Sequence, residues 1–103
     1  MSQWVRLCAV GEAPAAGTVK EAEAAGTTVC LANVGGRLHA LGNVCPHRGG
    51  PLGQGWIEDG KLLCPWHSWT FNVETGRADY PEGEKVEVFP LRVDGEDVQI
   101  QLE

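Results

Sequence analysis

The stretch Cys45–Gly50 reads CPHRGG, and a second stretch, Cys64–Trp69, reads CPWHSW. Each stretch places one cysteine and one histidine beside a proline, in the spacing Cys-x-His for the first and Cys-x-x-His for the second, with 16 residues between the two pairs. Two short pairs so far apart suit two loops that meet at the tip of a β-sheet. The four side chains in question are Cys45, His47, Cys64 and His67.

The rest of the chain predicts an all-β fold, an antiparallel sandwich or small barrel. The predicted strands are Trp4–Val10, Thr27–Val34, Arg37–Gly42, Trp56–Glu58, Lys61–Cys64, Thr70–Val73, Lys85–Leu91 and Val98–Leu102. Turn signals separate many of them, at Gly35-Gly36, Asp59-Gly60, Glu74-Thr75-Gly76 and Asp94-Gly95. The segment Glu21–Ala25 is rich in Ala and Glu, and either a short helix or a strand ending in a polar turn fits it.

Length and charge narrow the classes of function. The 103 residues fit one domain, 1–103, with one site. Fourteen acidic residues against eight basic ones give a formal net charge of −6, which argues against a nucleic-acid partner. There is no apolar run long enough to span a membrane and no signal-peptide pattern at the start, so we expect a soluble cytoplasmic protein without a membrane partner.

Several kinds of site use cysteine and histidine together. A tetrahedral zinc site matches the ligand set and would make the chain a zinc-binding interaction module, but zinc ligands usually come as Cys–Cys and His–His pairs. A Cys–His nucleophile needs only one pair and leaves the second without a role. Ordinary packing explains an isolated Cys or His, but four in this order argue against it. The intervening residues, with Gly49, Gly50, Pro51, Gly53 and Gly55, allow backbone N–H groups to approach a sulfide-containing cluster.

The two boxes closely resemble the signature of the Rieske [2Fe–2S] proteins, and the resemblance extends from about Val5 to Leu102. It implies a Rieske-type fold with a two-loop cluster-binding subdomain at about residues 43–71 and one [2Fe–2S] cluster. Cys45 and Cys64 would bind one iron as thiolates, and His47 and His67 the other through ring nitrogens.

Departures from the pattern of the cytochrome bc-type members indicate a particular branch. Those members carry an extra cysteine in each box, and the two form a disulfide; Gly50 and Trp66 stand at the corresponding positions. They also place hydroxyl donors where this chain has Trp69 and Phe71. Fewer hydrogen bonds to cluster sulfur should lower the reduction potential.

The resemblance therefore implies a soluble low-potential electron carrier without independent catalysis. Its partners would be a flavin-dependent NAD(P)H reductase and a terminal oxygenase of the ring-hydroxylating type. The small subunit of an assimilatory NAD(P)H nitrite reductase is the alternative, with that enzyme's large subunit as partner. The expected shielding or partner-contact residues are Pro46, Arg48, Pro65, Trp66 and, in a third loop, Pro81.

Three remaining observations concern residues outside the boxes. Cys8 and Cys30 fall in predicted strands and read as buried hydrophobic thiols. His39 reads as an ordinary strand residue. Acidic side chains are candidates for steering a basic partner by charge, at Glu58, Asp59, Glu82, Glu84 and Glu87.

Overall fold

The computed structural model describes residues 3–46, 49–66, 69–80 and 84–102. Its regular elements are eleven strands and two short 3₁₀ helices within those ranges. The strands are β1 Gln3–Ala9, β2 Val19–Ala24, β3 Thr27–Val34, β4 Arg37–Gly42, β5 Trp56–Glu58, β6 Lys61–Leu63, β7 Thr70–Phe71, β8 Ala78–Tyr80, β9 Val88–Phe89, β10 Leu91–Asp94 and β11 Asp97–Leu102; the 3₁₀ helices are Val10–Glu12 and Leu52–Gln54.

All strand pairs between these elements are antiparallel, and they form three sheets. The strand orders are β1–β11–β10, β2–β3–β4–β9 and β5–β6–β7–β8. The predicted all-β fold with antiparallel pairing is confirmed.

Strand β3 shows how the sheets are layered. Val29 and Leu31 belong to one core cluster, which also contains Ile100 of β11, whereas Cys30 and Ala32 belong to the other. Successive side chains of a strand point to opposite faces, so β3 contributes to an apolar core on each side. The uninterrupted apolar run VCLA is the sequence consequence of burial on both faces.

Tight turns connect the strands of the β2–β3–β4 sheet. Ala25 and Gly26, between β2 and β3, have φ values of 49° and 81°, and Gly35 and Gly36, between β3 and β4, have 63° and 93°. Positive φ at both central residues is the requirement of the two-residue hairpin turn whose twist matches the strands. The open choice at Glu21–Ala25 is thereby settled as a strand, because β2 pairs with β3 and then turns at Ala25.

One strand prediction was wrong, and one strand was missed. The run predicted as one strand, Lys85–Leu91, is two strands, β9 and β10, separated by Pro90, which has no N–H to donate to a ladder. Strand β8 was not predicted, because its residues ADY show neither alternation nor β-branched side chains. The strand predicted at Val98–Leu102 is confirmed as β11, in which the alternate residues Val98 and Ile100 are fully buried.

The sheet β5–β6–β7–β8 lies nearest to the two cysteine boxes in sequence, and its packing positions them. Leu62 of β6 and Phe71 of β7 are fully buried in the same core cluster as Cys45 and Cys64. Trp69 packs against that cluster and is partly buried. Trp69 and Phe71 therefore belong to the core that also contains the two cysteines of the boxes.

Candidate metal centre

The first cysteine box forms a loop that closes on itself. The N–H of Cys45 donates to the carbonyl of Gly50 at 2.9 Å, and the N–H of Gly49 donates to the carbonyl of Cys45 at 2.8 Å. Gly49 has φ 76°, in the left-handed region that glycine adopts without strain. Val44 and Pro51 form an isolated bridge at the base of this loop. The backbone thus turns Cys45 inward, where its side chain is 1% exposed.

The second box repeats this closure. The N–H of Cys64 donates to the carbonyl of Trp69 at 2.9 Å, again five residues further along the chain. The N–H of Trp66 also donates to Cys64 Sγ at 3.4 Å. Amide donors aimed at a cysteine sulfur stabilise negative charge on it, as occurs around iron–sulfur clusters.

The two cysteine thiols are buried side by side. Cys64 is fully buried, and both cysteines belong to one core cluster. Burial, as the larger cause, and the neighbouring Cys45 raise the pKa of the Cys64 thiol to about 11, although the Trp66 N–H opposes this. A metal cation bound between the two sulfurs would instead favour the thiolate form, because a coordinating thiol is deprotonated outright. The pair is therefore suited to hold a metal.

The histidines of both boxes lie outside the described residues. His47 and Arg48 follow Pro46, and His67 and Ser68 follow Trp66, in the two short ranges that the structure leaves undescribed. Pro81, which was expected to cover the site from a third loop, is also outside the described residues. Within the described ranges no group of three or more His, Cys, Asp or Glu side chains gathers. The ligand set of two cysteines and two histidines therefore stays a prediction.

Several apolar residues next to the two cysteines in the chain are exposed or partly exposed. Trp66 is 47% exposed, Pro46 is exposed, and Pro65 is partly buried. Val44, which the sequence did not single out, is 66% exposed. No sequence signal marks Val44, since a valine beside a strand end is more often buried.

The glycines between the boxes divide into two groups. A Cβ atom on Gly50 would lie 2.9 Å from Cys64 Sγ, so this backbone does pass close to the proposed metal site. By contrast, a Cβ on Gly53 would collide with the Glu21 side chain, and one on Gly55 with the carbonyl of Leu63. That these glycines serve a cluster stays a prediction. Gly50 lies beside a cysteine sulfur, whereas Gly53 and Gly55 allow close packing against the protein itself.

A polar network that sequence reasoning missed anchors the first box to strand β2. Asn43 is buried, donates from Nδ2 to Glu21 Oε2 at 2.6 Å and accepts at Oδ1 from the N–H of Gly53 at 2.7 Å. Gln54 donates to the other oxygen of Glu21 at 3.0 Å. Asn43 lies two residues before Cys45, so the network fixes the start of the loop that carries the first thiol.

Three other titratable side chains, Cys8, Cys30 and His39, were expected to have no part in the site. Cys8 and Cys30 are buried free thiols that belong to different core clusters, which confirms them as hydrophobic packing residues. Burial, with a smaller contribution from Glu21, raises the pKa of Cys30 to about 12. His39 pairs with Ala32 in the β3–β4 ladder as an ordinary strand residue, and burial lowers its pKa.

The acidic candidates for steering are accessible where the structure describes them. Glu58, Asp59, Glu84 and Glu87 are exposed, while Glu82 lies outside the described residues. One of these carboxylates has a local partner, because the Trp56 indole N–H donates to Glu58 Oε2 at 3.2 Å. Steering by these charges stays a prediction.

Comparisons with known proteins give a family and several relatives. Residues 3–90 match the Rieske [2Fe-2S] domain. The chain is 37% identical over 86 residues to apoptosis-inducing factor 3 of Mus musculus, an alignment that covers 82% of this chain but 14% of that protein. It is 31% identical over 101 residues to the ferredoxin component of the naphthalene 1,2-dioxygenase system of Pseudomonas aeruginosa, covering 97% of this chain and 96% of the relative.

Among solved structures, the fold is similar to that of a putative NADH-dependent nitrite reductase small subunit from Mycobacterium tuberculosis. The TM-score is 0.88 at 24% identity, with 100% of this chain and 97% of the other covered. In the described ranges there is no helix long and apolar enough to cross a membrane.

Proposed function

The chain belongs to the Rieske [2Fe-2S] domain family, and from this membership we propose that it carries single electrons from a flavin-dependent NAD(P)H reductase to a terminal oxygenase of the ring-hydroxylating type. The observation that carries the proposal is the pair of adjacent buried thiols, Cys45 and Cys64, on two loops closed in the same way. The full-length similarity to a dioxygenase ferredoxin component supports the choice of acceptor.

The proposed cofactor is one [2Fe–2S] cluster, held by Cys45 and Cys64 on one iron and by His47 and His67 on the other. When bound, such a cluster supplies the reversible uptake of one electron. The described residues fit it by their donor chemistry: two thiols, an amide N–H aimed at one sulfur, and a glycine backbone beside that sulfur.

The protein's own contribution is to control the surroundings of the sulfurs. The apolar cluster that contains Leu52, Leu62 and Phe71 keeps water from the inner side of the cysteine pair. The Trp66 N–H stabilises negative charge on Cys64 Sγ. Trp69 and Phe71 bring no hydroxyl donor to the site, which supports the low potential inferred from the sequence.

The exposed apolar side chains around the loops support a partner contact at this end of the molecule. Val44, Pro46 and Trp66 would bring a partner close to the proposed cluster. Docking there shortens the path of the electron. No catalytic step by this chain alone is part of the proposal.

Anaerobic purification tests the cofactor. We expect a coloured protein with iron and acid-labile sulfide in equal amounts, and a [2Fe–2S] electron paramagnetic resonance signal on reduction. Cys45→Ser and Cys64→Ser should each remove the signal, whereas Cys8→Ser, a change at a buried thiol in the other core cluster, should retain it. A colourless protein that holds zinc and no iron would overturn the proposal in favour of a zinc-binding module.

A second candidate function is the small subunit of an assimilatory NAD(P)H nitrite reductase. The sequences of both cysteine boxes, as they stand in this chain, favour it almost as well as the ferredoxin role. Reconstitution separates the two. A carrier should pass electrons repeatedly between a reductase and an oxygenase as a dissociable protein, whereas a subunit should co-purify with a sirohaem-containing partner and support nitrite reduction only in that complex.

A further inference from the structure

The two cysteine loops contact each other at Gly50 and Trp66, two residues outside the proposed ligand set. A Cβ on Gly50 would lie 3.1 Å from both Cγ and Cδ2 of the Trp66 ring and 2.9 Å from Cys64 Sγ. The indole ring and the sulfur therefore approach the same point, the position that a Cβ on Gly50 would occupy. Gly50 belongs to the first loop, while Trp66 and Cys64 belong to the second.

In the described parts of the two loops, the backbone hydrogen bonds that close each loop lie within that loop. The bond from Cys45 ends at Gly50, and the bond from Cys64 ends at Trp69. A side-chain contact between the loops can therefore fix the position of one loop relative to the other, which these bonds do not do. A metal shared by both loops would make their relative position decisive for its retention.

We propose that the Trp66 ring, packed against Gly50 where a Cβ would otherwise lie, is a non-covalent brace that holds the two cysteine loops together and covers the Cys64 sulfur. This positioning role rests on the proposed cluster site and adds to it a residue that binds no iron. The ring remains 47% exposed, so one part of it covers Gly50 while the rest faces solvent.

Gly50 is required in this arrangement for steric reasons alone. Its φ lies outside the left-handed region, so an alanine there meets no backbone strain. The cost of a Cβ comes entirely from the ring and the sulfur, since contacts under 3.4 Å force the neighbouring groups to move. Gly49 differs, because its φ is 76° and a Cβ there would lie 3.9 Å from Val44 Cγ1, an ordinary contact distance.

The test uses the cluster-loaded protein and follows release of iron to a chelator. Trp66→Ala should release the cluster about tenfold faster than the unsubstituted protein, because it removes a large apolar contact. Its reduction potential should shift upward, because water reaching Cys64 Sγ stabilises the more negative reduced state. Trp66→Phe keeps a ring on Gly50 and should stay within about threefold of the original rate.

Two controls separate the brace from general destabilisation. Trp56 is 41% exposed, and Trp56→Ala removes a tryptophan of similar exposure without altering the Gly50 contact, so it should leave the release rate unchanged. Gly11→Ala introduces a Cβ where nothing lies within 4 Å, and it should also be neutral. Gly50→Ala should accelerate release about as much as Trp66→Ala.

The double variant Gly50→Ala with Trp66→Ala gives the decisive outcome. In the double variant the Cβ on residue 50 still meets Cys64 Sγ but no longer meets the ring, so the acceleration of iron release should be clearly smaller than the product of the two single-variant accelerations. Multiplying effects, or a Trp66→Ala rate within twofold of the original, would overturn the brace. Should Trp66→Ala fail to fold, Trp66→Phe and Gly50→Ala carry the comparison.

A wild-type protein without iron and sulfide would refute the proposed function, whereas a loaded protein insensitive to these substitutions refutes the brace alone.

Discussion

Asn43→Ala tests whether the polar network behind the first box holds the loop in place. The substitution removes the acceptor of the Gly53 N–H, a bond of 2.7 Å between buried groups, and leaves that N–H without its partner. An unsatisfied buried donor costs about 1–3 kcal/mol. The Glu21 carboxylate also loses a donor, but Glu21 is exposed and water can replace it at little cost. We therefore expect a loss of about 2 kcal/mol in the free energy of unfolding.

Thermal unfolding of the cluster-loaded protein at a fixed scan rate measures this loss. For a domain of this size, about 2 kcal/mol corresponds to a fall in Tm of roughly 10 °C. Iron release should also accelerate, because Asn43 begins the loop that carries Cys45. Asn43→Asp keeps an acceptor for Gly53 but faces Glu21 with a second carboxylate, so its destabilisation should diminish as the pH falls below about 4.

Asn33→Ala is the matched control. The side chain of Asn33 also makes two hydrogen bonds: Nδ2 donates to the Pro14 carbonyl at 2.9 Å, and Oδ1 accepts from the Gly36 N–H at 2.8 Å. Gly36 is exposed, so water can replace the lost acceptor, and we expect a cost below about 1 kcal/mol. Equal losses for Asn43→Ala and Asn33→Ala would refute the assignment of the first network as a buried anchor.

Three further predictions follow from particular residues. Gly55→Ala should lower Tm by more than 10 °C or prevent folding, because its Cβ would collide with the Leu63 carbonyl, whereas Gly60→Ala should cost about 1 kcal/mol from its positive φ alone; circular dichroism melts compare them. The raised pKa of Cys30, about 12 against an ordinary 9.0, keeps its folded-state thiol protonated while the unfolded thiol ionises, so stability should fall as the pH rises from 9 to 12. Cys30→Ala should flatten that part of the Tm–pH curve, and an unchanged slope would contradict the assignment. Reduction of the protein by its reductase should slow as ionic strength rises, and a flat dependence would refute steering by Glu58 and the other exposed carboxylates.

Local sequence chemistry predicted the parts of the fold that local forces control. The two-residue turns at Gly35-Gly36 and Asp59-Gly60 follow from positive φ values that glycine and aspartate tolerate. Strand β3 was predictable from an apolar β-branched run. Strand β8 was not predictable, because its three residues show no strand pattern of their own. They form a strand by pairing with β7.

The candidate site also has one part that the sequence predicted and another that it did not. The cysteine boxes were recognisable because metal coordination demands particular ligand types at particular spacings. The adjacency of the Cys45 and Cys64 thiols was an inference from that pattern, and the structure supports it through their shared core cluster. The anchor at Asn43 carried no signal, because an asparagine after a strand is equally typical of an ordinary turn.

The all-β class, the turns and the two boxes could be predicted from the chain alone, since dihedral preferences and ligand spacings are properties of a few neighbouring residues. Which glycines lie beside the cysteine pair and which allow close packing elsewhere depends on the packed fold. Gly50 faces Cys64 Sγ and the Trp66 ring, while Gly53 meets Glu21 and Gly55 meets Leu63. The physical reason is that the space beside a Cα is set by groups distant in sequence, and the chain brings those groups together only when its sheets pack.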